Sequence, residues 1–584
     1  MPRLPHASHA CRTVRSPIAY FCDMSQEFAP LAERIVDAVV DSDPLLAAQA
    51  GDHRADGRLP DFSASGVAAE VAMLRDAETA LSEVDVEALG RDEQVDHAVL
   101  FGLVDGLLFE RTVLRAHEWD PLLHNPGGLL HALVSRPFAP PEQRLASLAS
   151  RLDALPDALA TARTVLTDCP AIHLETAIAR FTGVGRLIRT EIPQLIAQVP
   201  AGGPASTELL TRAATEVDAF TRWLRGRLDE ARGGTPAGTA GGASAGTAGG
   251  TPAGAGREPR LGRRLWEARL WHALDTELPA RQIVGRARAT IEQVTGELRE
   301  AAAELTGGPP TDETVRRALA LLAADRQNNE TIVGFAAATL DEATAFVREH
   351  DLVCVPEDTC VVMEMPEFAR GIALAYCDSP GPLETATVPT YYCISPAPAD
   401  WSAERVASLY REYNNHLIRD LTAHEAMPGH FLQLTTARGY RGTTRSRAVG
   451  RSGTFVEGWA EYAERLMADH GFGGLPTRIQ VLKMRLRTAI NAVLDEAVHC
   501  EAMTEPEAMA LLTGVGFQEE GEAAAKWRRA LLTSAQLSTY FVGYTEVSAI
   551  ADARPAGTTL RRWHDAMLSH GSPAPRHVAT LLGC

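Results

Sequence analysis

The sequence predicts a mainly α-helical protein with one small β-sheet. Over most of its 584 residues, apolar side chains recur every three or four positions, and alanine, leucine, glutamate and arginine dominate these stretches. Only between residues 351 and 396 does the pattern change to short β-rich runs separated by proline, glycine and aspartate. No apolar run approaches the ~20 residues that span a bilayer, so we expect no membrane segment.

The N-terminal part, residues 24–232, is predicted to be helical. We expect residues 1–23 to be disordered or to come from a mis-assigned start, because an amphipathic helical pattern begins just after Met24. They lack the continuous apolar core of a signal peptide, so we do not expect secretion. Residues 233–256 contain only Gly, Ala, Thr, Pro and Ser and predict a flexible insertion. The helical stretches are FAPLAERIVDAVV, VAAEVAMLRDAETALSEV, QVDHAVLFGLVDGLLFERTVLRA, EQRLASLASRLDALPDALATARTVL and ELLTRAATEVDAFTRWLRGRLDEA.

The C-terminal part, residues 257–584, is predicted to carry the chemistry. Two helical stretches precede four predicted strands, DLVCVPE, CVVMEMPE, GIALAYCD and TVPTYYCISP. SAERVASLYREYNNHLIRDLTAHEAM then predicts one long helix beside the sheet, followed by further helices to the end of the chain. The tyrosines of the strands are expected to pack within the sheet; alternatively, a strand could pair with an extended peptide.

Charge and cysteine content restrict the partners. The chain has 56 Lys and Arg against 75 Asp and Glu, a net charge of −19, which argues against nucleic-acid binding. Its nine cysteines form no CxxC pair and are typical of reduced thiols in a cytoplasmic protein. We expect a small-molecule or short-peptide substrate, with no nucleic-acid or membrane partner. The oligomeric state stays open.

The segment LTAHEAMPGHFLQ predicts a metal site. A zinc hydrolase needs two imidazoles to hold the cation and a nearby carboxylate to accept a proton, here His424, His430 and Glu425. The histidines are six residues apart, so a regular helix would turn them about 120° from each other. Pro428 and Gly429 are therefore expected to break the helix and return His430 to the ligand side.

A third ligand is expected from RSGTFVEGWAEYAERL, which offers three glutamates on one helix face. Glu457 is the predicted ligand, because it follows two apolar positions at the start of a helix. Glu464 is the better candidate to orient a ligand histidine. Glu461 is expected to be a solvated surface acid. The residue types favour one zinc ion per chain, although manganese or cobalt would accept the same donors.

These motifs resemble the bacterial DUF885 proteins, which are related to zinc metallopeptidases of the gluzincin type. HEAMPGHFLQ matches the pattern HEAxPGHHxQ of that family, FVEGWAEYAERL matches EGWAxYxE, and QLSTYFVG matches Q-A-x-x-Y-x-x-G. The resemblance spans roughly residues 26–580 and implies one body for both parts. It also implies a large helical metallopeptidase-like fold with a deep central cleft.

The resemblance implies zinc binding by His424, His430 and Glu457, with Glu425 as general base and Tyr540 as a hydroxyl donor to the oxyanion. Tyr544, on the same helix face as Tyr540, is a competing candidate.

In the RxxxDTGxH stretch of the family, this chain keeps Asp495 and His499 but has Asn491 in place of arginine. Asp495 and His499 could lie behind the ligands or against substrate, or His499 could be a buried structural residue. The missing guanidinium removes one group that would pair with a substrate carboxylate.

The predicted function is zinc-dependent hydrolysis of an amide or peptide bond in a small or short extended substrate. One alternative is a tailoring enzyme that uses zinc for lyase or amide-forming chemistry on a metabolite; the substitution by Asn491 motivates it. A second alternative is a non-catalytic binding protein with the same fold.

Overall fold

The structure, a computed structural model, describes residues 27–199, 207–233, 257–366, 374–399 and 401–584. The predictions for residues 1–23 and for the insertion after residue 233 lie outside this part of the chain. The described residues form a mainly helical protein with one three-stranded sheet, as predicted. None of the described helices combines the length and apolar character needed to cross a membrane.

The N-terminal helices bury their apolar faces in two clusters, one around Ile35, Leu74 and Leu100 and the other around Phe181 and Phe220. These helices are α1 (Phe28–Ser42), α2 (Pro44–Ala50), α3 (Ala64–Ser82), α4 (Arg91–Phe109), α5 (Gly127–Ser135), α6 (Pro141–Val165), α7 (Ala171–Thr190), α8 (Ile192–Ile196) and α9 (Thr207–Gly233).

The C-terminal helices surround a larger core that includes Tyr392, Ile418 and Trp459. They are α10 (Arg263–Leu274), α11 (Ala280–Thr306), α12 (Asp312–Leu322), α13 (Ile332–Glu349), α14 (Ala403–Glu412), α15 (Asn415–Glu425), α16 (His430–Arg438), α17 (Ser446–Val449), α18 (Gly453–Asp469), α19 (Gly474–Cys500), α20 (Glu505–Met509), α21 (Glu520–Leu532), α22 (Gln536–Asp552), α23 (Leu560–Leu568) and α24 (Pro575–Leu582).

The two parts touch across a fully buried ion pair. Arg447 of α17 places Nε 2.6 Å from Oδ1 of Asp96 in α4, and neither side chain is exposed. Removing one partner would leave an uncompensated buried charge, so this contact couples the two parts. The division into parts on either side of the insertion stays a prediction.

The sheet is mixed and has the strand order β1-β3-β2, with β1 (Cys360–Glu364), β2 (Ala375–Asp378) and β3 (Thr390–Ile394). β1 pairs with β3 in parallel, whereas β2 pairs with β3 antiparallel, so that Tyr376 lies opposite Cys393. Helix α15 packs against β2. The sheet therefore presents an edge strand to the helix that carries the His-Glu pair.

The strand predicted for residues 351–357 is wrong. Leu352 is buried, but its N–H donates to the carbonyl of Val347 in α13, and the N–H of Cys354 donates to Oδ1 of Asp565 at 2.8 Å. Its backbone donors are thus used by a helix end and a side chain. This apolar run packs at the C-terminal end of α13 and does not join the sheet.

The single long helix predicted before Met427 is also wrong, because two helices, α14 and α15, occupy the segment. Asn414 caps α15: its Oδ1 accepts the N–H groups of His416 at 3.1 Å and Leu417 at 3.3 Å. Asparagine is among the preferred residues at a helix N-cap. A new helix therefore begins after Asn414, although the apolar periodicity of the sequence continues across it.

Helices α18 and α22 cross at a pair of glycines. A Cβ on Gly458 would lie 2.4 Å from the carbonyl carbon of Gly543, and a Cβ on Gly543 would lie 2.2 Å from the carbonyl oxygen of Thr454. Only glycine allows such a close backbone approach. The crossing brings together Glu457 and Tyr540, which flank these glycines in sequence.

Candidate metal centre

The helix breaks before His430, as the sequence predicts. α15 ends at Glu425 and α16 begins at His430. Between them, Ala426 leaves the helical region with φ −128° and ψ −78°, and Gly429 has ψ −126°. The imidazole of His430 consequently faces that of His424, with ring centroids 4.7 Å apart.

Gly429 and a tryptophan hold the break in place. The Gly429 N–H donates to the carbonyl of Ala423 at 2.9 Å, and a Cβ at this position would lie 1.9 Å from the carbonyl oxygen of His424. The indole Nε1 of Trp459 in α18 donates to the carbonyl of Pro428 at 2.8 Å. The break is therefore hydrogen-bonded both to its own helix and to α18.

Three donor atoms of His424, His430 and Glu457 face a common point. Oε2 of Glu457 lies 3.5 Å from Nε2 of each histidine, and the donor atoms all lie within 4.8 Å of one another. In a tetrahedral site with bonds of about 2.0–2.1 Å, ligand atoms are roughly 3.4 Å apart. Oε2 of Glu457 is buried and has no hydrogen-bond partner among the described residues. This donor set fits a divalent cation with one coordination position open.

The electrostatics of the cluster also favour a cation. Burial alone would raise the pKa of Glu457, but the adjacent His424 and His430 hold that pKa far below its usual value. For His424, burial lowers the pKa, yet Glu457 and Glu464 raise it well above the usual value. Glu457 thus carries a negative charge at the point that the donors face.

Glu464 contacts the far side of His424. Its Oε1 lies 2.6 Å from Nδ1 of His424, so this hydrogen bond orients the ring and directs Nε2 toward Glu457. Both glutamates lie on α18, seven residues apart. One helix thus supplies one candidate metal donor and the group that orients a second candidate.

The prediction that Glu461 is a solvated surface acid is wrong, because its residue exposure is only 2%. It lies beneath the cluster together with Asp420 and Glu464, and each of the three carboxyl groups has one buried oxygen without a hydrogen-bond partner among the described residues. Burial raises the pKa of Asp420 and Glu461 well above the usual range, and the charge of Glu464 raises both further. With His424 these glutamates form a second group near enough to hold a cation.

Glu425 lies between the histidines and the edge strand. The residue is buried and lies against Cys377 of β2. Burial raises the pKa of Glu425, while the charges of His424 and His430 oppose that rise. A carboxyl group with a raised pKa is suited to taking up and releasing a proton.

A cavity of about 160 Å³ adjoins the cluster and is lined by His424, Glu425 and Tyr540, among others. The hydroxyl oxygen of Tyr540 accepts hydrogen bonds from Nη2 of Arg529 at 2.8 Å and from Nε2 of Gln536 at 3.3 Å. Burial raises the pKa of Tyr540, so the hydroxyl keeps its proton.

The competing Tyr544 faces elsewhere. Its ring lies 5.7 Å from the guanidinium of Arg465 and 5.4 Å from that of Arg485, and it does not line the cavity. Of the two tyrosines, only Tyr540 borders the cavity next to the metal donors.

His499 and Asp495 make contacts around the start of α22. Nε2 of His499 donates to the carbonyl of Thr533 at 2.8 Å. Asp495 accepts the N–H of Ala535 at 3.2 Å and the hydroxyl of Ser538 at 2.8 Å. Neither residue lines the cavity. Their contacts support the helix that carries Tyr540 and do not reach the metal donors.

The cavity is also lined by groups that were not predicted from the sequence, among them Asp420, Lys526 and Arg529. Asp420 lies four residues before His424 and so shares its helix face, which was a usable signal. Lys526 and Arg529 lie in the run KWRR of α21, which has the appearance of an exposed basic stretch. Only the tertiary packing of α21 brings them to the cavity.

A proposed lipoprotein of unknown function from Shewanella oneidensis shares the fold with a TM-score of 0.77 and 25% identity, over 96% of this chain and 100% of that chain. A proposed lipoprotein from Colwellia psychrerythraea gives a TM-score of 0.73 at 17% identity, over 96% and 99% of the chains, and shows the fold alone. No curated protein matches the sequence. The profile of the family described as "Bacterial protein of unknown function (DUF885)" matches residues 44–582, and the chain therefore belongs to the DUF885 family.

Proposed function

We propose that this chain is a zinc-dependent hydrolase that cleaves amide or peptide bonds in small or short, extended substrates. The observation that carries the proposal is the grouping of the donor atoms of His424, His430 and Glu457, in which the two 3.5 Å distances from Glu457 are close to the edge of a tetrahedral site. These residues would hold one zinc ion per chain. Glu425 lies beside them at the same cavity.

A bound zinc ion would polarise the substrate carbonyl and make water more acidic. Glu425 accepts a proton from the attacking water and later donates it to the leaving amine. Glu425 lies against Cys377 of β2 and lines the cavity, so its carboxyl group is at the edge strand. Glu464 holds His424 in orientation through the 2.6 Å contact.

Tyr540 is arranged as a donor. Because its oxygen accepts hydrogen bonds from Arg529 and Gln536, the hydroxyl hydrogen remains available to another acceptor. We assign that hydrogen to the oxyanion that develops at the scissile carbonyl.

The edge strand β2 supports an extended substrate. It pairs with β3 on one side, and α15 packs against it near Glu425. A peptide could align with this edge through main-chain hydrogen bonds.

We further propose a metallopeptidase-like arrangement in which the helices around the cavity form a cleft. We also propose that the protein is cytoplasmic and has no nucleic-acid or membrane partner.

The test compares two glutamine variants for zinc content and for hydrolysis of a peptide library. Glu425→Gln is expected to retain zinc and to lose activity, since the amide cannot accept the proton. Glu457→Gln is expected to lose both. Full activity in Glu425→Gln would overturn the mechanism, and wild-type protein with zinc far below one ion per chain would favour a non-catalytic binding protein.

A further inference from the structure

Lys526 is a buried cation without a partner. It is 5% exposed, its side chain lines the cavity beside His424 and Glu425, and it makes no ion pair or hydrogen bond within the described residues. An ammonium group removed from water is unfavourable unless an anion or hydrogen-bond acceptors replace the water. Burial accordingly lowers the pKa of Lys526, and the charges of Arg487 and Arg529 lower it further.

Glu522, four residues before Lys526 on the same helix, already has other partners, and Glu461 forms no ion pair with Lys526. Glu522 accepts a hydrogen bond from the hydroxyl of Tyr413 at 3.2 Å and pairs with Arg487. Glu412 pairs with Lys483 at 2.8 Å. None of these carboxylates reaches Lys526 closely enough to form an ion pair. Lys526 therefore has its amine at the cavity wall without an ion pair among the described residues, although acids line the same cavity.

A second cation on the same helix faces the cavity. Arg529, three residues after Lys526, uses Nε and Nη2 to bind Gln536 and Tyr540. Its Nη1 has no hydrogen-bond acceptor among the described residues. Asn491, where the family pattern has arginine, brings no charge from α19. Arg487 of α19 also lines the cavity but pairs with Glu522, so the cations without a carboxylate partner at the cavity wall come from α21.

We infer that Lys526 and Arg529 bind a carboxylate of the substrate, so that preferred substrates carry a free carboxylate close to the scissile amide. The inference rests on the proposed hydrolase function and names its substrate class. A single carboxylate suits the site better than a phosphate, because Asp420, Glu425 and Glu464 also line the cavity and would repel a doubly charged group. The carboxylate could belong to the C-terminus or to an acidic side chain.

Four acetylated tripeptides separate these sources. Trialanine is compared with its C-terminal amide, and the amides of Ala-Ala-Glu and Ala-Ala-Gln are compared with each other. We expect kcat/KM to be at least about tenfold higher for one acid than for its neutral partner. A preference within the first pair assigns the carboxylate to the C-terminus, and one within the second pair assigns it to a side chain. Equal kcat/KM within both pairs would overturn the inference.

Variants then connect the preference to Lys526. Lys526→Met should lower kcat/KM for the preferred acid by about 10- to 100-fold, mainly through KM, and change the neutral peptide by less than about threefold. Lys526→Arg should restore most of the preference. The matched control is Arg528→Gln on the same helix, because Arg528 is exposed and pairs with Glu175 at 3.1 Å. It should leave both peptides unchanged.

Stability and binding measurements keep the inference separate from folding and from the proposed function. Because Lys526→Met removes a buried amine that has no partner, its melting temperature should equal or exceed that of the wild type. If no peptide is hydrolysed, the hydrolase proposal fails. Calorimetric titration of zinc-loaded Glu425→Gln with the four peptides then decides the inference: tighter binding of an acid supports it, and equal binding within both pairs, or no binding, overturns it.

Discussion

Replacing Gly458 by alanine should separate α18 from α22 and displace two groups of the site. The added Cβ would lie 2.4 Å from the carbonyl carbon and oxygen of Gly543, whereas ordinary contact begins at 3.4 Å. The helices must therefore move apart by about 1 Å, and overpacking of this kind costs about 1–3 kcal/mol of unfolding free energy. Because Glu457 and Tyr540 adjoin the crossing, we expect a fall in zinc affinity of at least about tenfold and in kcat of about 100-fold.

The assay combines thermal unfolding, chelator competition for zinc and peptide hydrolysis. Gly453→Ala is the matched control, because Gly453 lies on the same helix and its added Cβ would meet only Thr539 Cγ2, at 3.9 Å. That variant should keep wild-type zinc affinity and be as stable as the wild type or up to about 1 kcal/mol more stable. Wild-type zinc affinity and stability in Gly458→Ala would refute the role assigned to the crossing.

Three further predictions concern charge and protons. Glu464→Gln should weaken zinc binding by about 10- to 100-fold in chelator competition, because His424 loses its charged partner; unchanged affinity would contradict this. Tyr540→Phe should lower kcat by about 100- to 1000-fold with zinc retained, whereas Tyr544→Phe should stay within about threefold; equal losses would remove the assignment. Burial lowers the pKa of His564 to about 4 from 6.5, so the unfolded chain binds a proton that the folded chain excludes. Unfolding free energy should fall as pH drops from 6.5 to 4, by up to about 3 kcal/mol for this residue, and urea midpoints of His564→Gln should depend less on pH.

The fold class and the helix break could be predicted because both depend on local patterns. Apolar periodicity indicates an amphipathic helix wherever one face is buried, and it identified the long helices on either side of the sheet. Pro428 and Gly429 restrict the backbone within a few residues, so they predict a break whatever packs against it. The strand at residues 351–357 was predicted wrongly because it also rested on a local pattern. Its apolar residues indicate burial, but they do not specify a strand.

Buried charges could not be assigned from local pattern. Glu457, Glu461 and Glu464 share a helix face, and the sequence does not say which element covers that face. In the structure α15 packs over it, which buries Glu461 and gives Glu464 its contact with His424. The same limitation concealed Lys526, because a lysine in a charged stretch is usually solvated.

The spacing of the EGWAEYAERL motif follows from the number of elements that α18 must contact. A helix turns about 100° per residue, so successive residues point to different neighbours. Glu457 faces the histidines, Gly458 meets α22, and Trp459 binds the carbonyl that precedes Gly429. Two turns after Glu457, Glu464 returns to the histidine side and orients His424. Each residue fixes one neighbour relative to the same rigid helix, so the donor geometry depends on α18 even where the other elements are irregular.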